Sequence, residues 1–162
     1  MEIYLLRHGA AERKAASGND ADRRLTPEGI STLRGVVKQA RSAGLRPSLI
    51  LSSPYVRAVE TARIAARLLH YPAEILQTNR VTPDSSPEDL WTELRSHGDA
   101  ASILVVTHEP LVSATVCWML GSHRAMIEFA PAMMVRVDVD PPGAEPRGVL
   151  RRIFTADGSG SA

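Results

Sequence analysis

At 162 residues, 44% hydrophobic and 23% charged, the chain has the length and composition of one soluble globular domain. That length supports a core without disulfides or a structural metal. Its single cysteine, Cys117, excludes a disulfide framework and a cysteine-based zinc site, and a net charge of +1 gives no general pull toward nucleic acid.

Ile3-Tyr4-Leu5-Leu6 is a short apolar run that predicts a buried strand. The early acid Glu2 and the immediate Arg7 argue against a signal peptide. A polar loop over Gly9 to Leu25 follows. Thr26-Pro27-Glu28 then predicts a helix start, with Ile30, Leu33, Val37 and Ala40 facing the core and Gly44 at its end. Ser48 to Leu51 reads as a second strand. Ser53-Pro54 reads as an N-cap and first-turn pair opening a helix to Leu69, with Val56, Val59, Ile64 and Leu68 as its buried stripe.

Ala73 to Gln77 predicts a short strand, and Ser86-Pro87-Glu88-Asp89 a helix held by Leu90, Trp91 and Leu94. Ile103 to Val106 is continuous, apolar and bounded by polar residues, as a fully buried strand requires. Leu111 to Leu120, interrupted by Ser113 and Thr115, is too short to span a bilayer and reads as a buried helix. Met133 to Val139 and Val149 to Phe154 are late strands, turned at Pro141-Pro142-Gly143 into a hairpin or edge pair. Residues 1–156 are thus expected to form one domain and 157–162 a flexible tail. The alternation predicts an α/β three-layer sandwich, with helices on both faces of a mainly parallel, mixed sheet. The expected location is cytoplasmic.

Ligands in such folds bind at the carboxyl ends of strands. There the chain carries Arg7-His8-Gly9, Ser53-Pro54-Tyr55-Val56-Arg57 and Thr107-His108-Glu109-Pro110. Burying two arginines and two histidines together is costly unless an anion or acids compensate. A phosphoryl group suits them, because guanidinium offers paired planar donors. The first helical turn at Arg57 adds backbone N–H groups and a favourable dipole. Gly9 is expected to let the backbone pass close to a ligand. The arginines are expected to keep His8 neutral and nucleophilic.

These three motifs resemble the signatures of the histidine phosphatase superfamily, which has the phosphoglycerate mutase-like fold. Leu25-Thr26-Pro27-Glu28-Gly29 and the His-Glu-Pro sequence resemble its SixA-type phosphohistidine phosphatase branch. The likeness covers roughly residues 3 to 120. It implies that His8 takes the phosphoryl group, Arg7 and Arg57 clamp its oxygens, His108 supports transfer, and water hydrolyses the phosphohistidine. It implies no metal and no cofactor. By the same likeness Arg23 reaches the pocket rim, although a solvated loop explains it equally well. The implied partner is a phosphorylated protein, including a histidine-containing phosphotransfer domain, or a small phosphate ester. Phosphate, vanadate or sulfate should fill the pocket.

Many superfamily phosphomonoesterases carry an acid for the leaving oxygen. Asp84, Glu88 and Asp89 are candidates here, none marked by a motif, and so is Glu109, which a first-turn helix carboxylate explains equally well. Mutase chemistry is disfavoured by the short chain, and a phosphoprotein-binding module by the intact nucleophile. His70, His97 and His123 are expected at surfaces or helix ends, Cys117, Trp118 and Met119 in the core, and Arg151-Arg152 at a solvated strand end.

Overall fold

The computed structural model describes residues 1–122, 127–140, 143 and 145–161. His123 and the Pro141-Pro142 part of the expected turn lie outside them. The strands are β1 (Glu2–Arg7), β2 (Leu49–Ser52), β3 (Leu76–Gln77), β4 (Ser102–Thr107), β5 (Met134–Val139), β6 (Gly148–Thr155) and β7 (Gly158–Ser161). The helices are α1 (Pro27–Ser42), α2 (Val56–Leu69), α3 (Pro87–Ser96) and α4 (Leu111–Met119). None is long and apolar enough to cross a membrane.

The strands form one sheet in the order β3-β2-β4-β1-β5-β6-β7. β3, β2, β4 and β1 are parallel, and β5, β6 and β7 continue antiparallel. The sheet is therefore mixed, as expected. The late strands are not simply an edge pair: β5 lies beside β1, well inside the sheet. The tail expected to be flexible is corrected over Gly158–Ser161, where β7 pairs with Arg152 to Thr155 of β6.

Side-chain alternation along β1 explains the layers. Ile3 and Leu5 point to one face with Ile103 and Val105, and are covered by α3 and α4 residues such as Leu90, Leu94 and Val116. Tyr4 and Leu6 point to the other with Leu104 and Val106, under α1 and α2. Every residue of β4 is buried, which is why that strand reads as unbroken apolar sequence.

Two helix starts follow the expected chemistry. Thr26 accepts from the Gly29 amide, and Ser86 forms a capping box with Asp89. α2 does not. It begins at Val56 after Tyr55, with no side-chain cap, while the Ser53 hydroxyl accepts from the Tyr55 amide at 3.3 Å. Its stripe also differs: Val56, Val59, Ile64 and Leu68 are half-buried, and Ala58, Thr61, Ala62, Ala65 and Leu69 are buried. Small side chains let α2 approach α1 and the sheet closely, leaving the larger ones at the margin.

Gly29 in the first turn of α1 meets the loop after β1. A Cβ there would lie 2.2 Å from the Ala10 carbonyl oxygen and 2.8 Å from its amide nitrogen. Backbone cannot swing aside like a side chain. Gly29→Ala is expected to cost about 1–3 kcal/mol, as overpacking does, and to disturb the adjoining His8-Gly9. A denaturant midpoint equal to that of the parent would contradict this packing.

Candidate active site

β1 and β4 are adjacent and parallel, with Arg7 opposite Thr107. The next residues along each strand are His8 and His108, and the His8 amide donates to the Thr107 carbonyl at 3.0 Å. The two rings therefore sit side by side, centroids 5.0 Å apart. After β2 the chain stays beside β4 through the Ser53 amide, which donates to the Val106 carbonyl at 3.1 Å. The chain then turns at Tyr55 into α2 and places Arg57 in its first turn. Arg57 Nε donates to His8 Nε2 at 3.2 Å, across 49 residues of sequence.

His8 Nδ1 lies 2.7 Å from the Gly9 carbonyl oxygen. A carbonyl only accepts, so Nδ1 carries the proton and Nε2 keeps its lone pair. Burial is the main force that lowers the His8 pKa to about 4, with Arg57, Arg7 and Arg23 adding to it. The arginines thus act in the expected direction but are secondary. Burial also pushes His108 down, to about 2, with His8 and the three arginines assisting. Both rings are neutral at pH 7.

The sign follows from the ordinary imidazole value of about 6.5. The unfolded chain takes up protons that the folded chain refuses. The stability these rings contribute is complete above about pH 6.5 and declines as pH falls through the folded value. Their ring resonances in the ligand-free protein should hold neutral positions down to about pH 5. A midpoint near 6.5 for either ring would show it to be solvated.

Arg7 anchors one terminal nitrogen on the Phe129 carbonyl. Its Nε is buried without a partner, and so are both ring nitrogens of His108. Such groups are rare in folded interiors unless a ligand serves them. Arg7 and His108 both line a cavity of about 330 Å³, together with His8, Ala10, Ala11, Asp20, Arg23, Arg57, Pro83, Glu109 and Pro131. Arg23 is among these residues, with its Nε on the Asp20 carboxylate at 2.7 Å.

Gly9 does not line the cavity. It lies behind His8, where a Cβ would meet the Gly29 carbonyl oxygen and Leu25, each at 3.2 Å. Its small size serves packing against α1, not approach to a ligand. Its amide donates to Thr61 Oγ1 at 3.1 Å, and that hydroxyl donates to the Arg57 carbonyl at 2.7 Å. One buried hydroxyl so ties the end of β1 to the first turn of α2.

Among the candidate acids, Asp84, Glu88 and Asp89 are exposed and outside the cavity lining. Asp89 is spent in the α3 capping box. Glu109 lines the cavity, but its carboxylate accepts from the Ser113 hydroxyl and the Phe129 amide. Three residues escaped sequence reasoning. Asp20 sits on Arg57 and Arg23, 3.1 and 2.7 Å away. Tyr55 stacks edge-on with His108 and lies under the Arg57 guanidinium. Thr61 is the tie just described. Asn19, capping its own 3-10 turn, was the one local signal for Asp20.

The other two described histidines are peripheral: His70 ends α2 in a left-handed conformation, and His97 meets Glu93 at 3.2 Å after α3. Cys117 and Trp118 are half-buried, Met119 fully buried. Arg151 pairs with Asp138 at 3.0 Å. Among the described residues, no three His, Cys, Asp or Glu side chains gather as metal ligands.

Residues 3–80 match the family model for the histidine phosphatase superfamily (branch 1). An uncharacterized protein of Picosynechococcus sp. is 33% identical over 112 residues, 68% of this chain and 67% of that protein. The chain belongs to the histidine phosphatase superfamily. Phosphohistidine phosphatase SixA of Escherichia coli is 29% identical over 145 residues, 88% of each chain. The solved structure of the protein histidine phosphatase SixA complexed with tungstate superposes with a TM-score of 0.87 at 23% identity, over 97% of this chain and 98% of that one. The superfamily's phosphoglycerate mutase-like α/β fold is therefore the fold of this chain.

Proposed function

We propose that the protein is a metal-independent phosphatase that hydrolyses phosphohistidine in proteins through a covalent intermediate on His8. The observation that carries this reading is the set of unserved polar atoms on the residues beside His8: buried Arg7 Nε, a donor, and the two ring nitrogens of His108, one donor and one acceptor. In the reading, Nε2 attacks phosphorus while the Gly9 carbonyl holds the Nδ1 proton. The bond from phosphorus to the leaving group breaks as the bond to Nε2 forms. Arg57 Nε, freed from Nε2, turns to a phosphoryl oxygen beside Arg7, and the fixed cations offset charge in the transition state. Neutral His108 has one N–H to give and one lone pair to accept. Water then attacks phosphorus, releasing inorganic phosphate and restoring His8.

Leaving-group chemistry supports the substrate class. Asp20 is held ionised by Arg57 and Arg23 despite some desolvation, and Glu109 is engaged by two donors. Asp20 does not stand ready as a protonated acid, and both Glu109 oxygens are already occupied. An alkoxide needs such a donor, and general acid catalysis contributes about 10²–10⁴-fold. A phosphohistidine ring protonated on its other nitrogen leaves as neutral imidazole, whose conjugate-acid pKa is about 6.5, with far less help. A tungstate-bound relative is consistent with an oxyanion in the pocket.

The test is a panel of a phosphohistidine protein, free phosphoserine and an aryl phosphate. Phosphohistidine and the aryl ester should outpace phosphoserine by about 10²-fold. Equal rates on all three would remove the phosphohistidine reading and favour a small-molecule phosphomonoesterase.

A further inference from the structure

Arg57 has five N–H donors, and three of them are taken. Nε donates to His8 Nε2 at 3.2 Å, one terminal nitrogen to the Asp20 carbonyl at 2.8 Å, and the other to the Asp20 carboxylate at 3.1 Å. The same carboxylate receives Arg23 Nε at 2.7 Å. Arg7 is arranged differently, with Nε unserved. One guanidinium of the clamp is thus open to a ligand, and the other is already covered by an anion from the protein itself.

We propose that Asp20 is a built-in competitor for the phosphoryl group, setting how tightly the site holds an oxyanion and how readily it lets inorganic phosphate go. The inference rests on the phosphoryl-site reading above. The Asp20 side chain is 61% exposed while that of Arg57 is 4% exposed. The carboxylate reaches a buried cation from a solvated 3-10 turn, Asp20–Asp22, so it can withdraw without opening the core. A dianionic phosphoryl group bonded also to Arg7 and His108 outcompetes it. As product leaves, Asp20 returns and lowers the cost of three arginines converging without a ligand. A site of this charge lacking such a residue would retain its own product.

The experiment measures orthovanadate and inorganic phosphate as competitive inhibitors of aryl phosphate hydrolysis, and their direct binding by calorimetry, in the parent, Asp20→Asn and Asp20→Ala. Asparagine keeps the shape and removes the charge. Both variants should bind phosphate and vanadate about tenfold more tightly, the scale of one charge-assisted contact. Turnover should become limited by product, with KM and kcat falling together. Unchanged or weaker oxyanion binding in both variants, with the parent still binding, would overturn the proposal and make Asp20 a positioning residue for Arg57. If the parent binds neither oxyanion, the phosphoryl-site reading itself fails, and the proposal with it.

Discussion

Replacing His8 by alanine is expected to lower hydrolysis by on the order of 10⁴-fold or more, the scale seen when an enzyme loses its nucleophile. The argument is geometric. The direction of the Nε2 lone pair is fixed from behind, by the bond from Nδ1 to Gly9. Arg57 already points at it, and no water network could inherit that alignment once the ring is gone. A second readout follows. Parent protein quenched in alkali during turnover of radiolabelled substrate should carry acid-labile label, as a P–N bond does, and His8→Ala should carry none. The variant should still hold oxyanions through Arg7, Arg57 and His108. Turnover surviving in His8→Ala would end the covalent scheme. A parent that binds phosphoprotein without ever hydrolysing it would point to a binding module.

The second large effect belongs to Arg7→Lys, expected to cost about 10²–10³-fold in kcat/KM, comparable to losing a transition-state donor. Arg7 has two tasks for one planar group: a terminal nitrogen binds the Phe129 carbonyl, and Nε is buried unserved on a side chain that lines the cavity. Lysine is a single point of charge and cannot do both. If its ammonium stays on Phe129, the cavity loses a donor; if it turns inward, the Phe129 segment loses its tie to β1. Charge is conserved, so a loss of activity isolates geometry from electrostatics. Parent-like kcat/KM would mean that Arg7 supplies only field.

Much of this site was legible because its residues lie immediately after strands whose hydrophobic runs are unambiguous. Ile3-Tyr4-Leu5-Leu6 and Ile103 to Val106 locate His8 and His108 without knowledge of the pairing, and the pairing then brings them together. The helix caps at Thr26 and Ser86 were readable for the same local reason. What escaped depends on tertiary context. Ser53-Pro54 looks like a cap, but after β2 the chain runs on to Tyr55 before α2 begins. The α2 stripe was misread because close packing selects alanine and threonine over the larger residues that hydrophobicity favours. Asp20 looks like one more loop acid until the fold brings it to Arg57, 37 residues on. The tail of glycines and serines gains its pairing from β6, which no local pattern announces.

The Thr61 hydroxyl, lodged between the Gly9 amide and the Arg57 carbonyl, has a consequence for how the protein fails on warming. His8 and Arg57 belong to separate elements, and the Thr61 hydroxyl backs up their own hydrogen bond in keeping them in step. Loosening there separates the two while the sheet and its helices remain whole. Catalytic competence should therefore vanish some degrees before the molecule melts, leaving a warm protein that is folded yet idle and that regains activity on cooling.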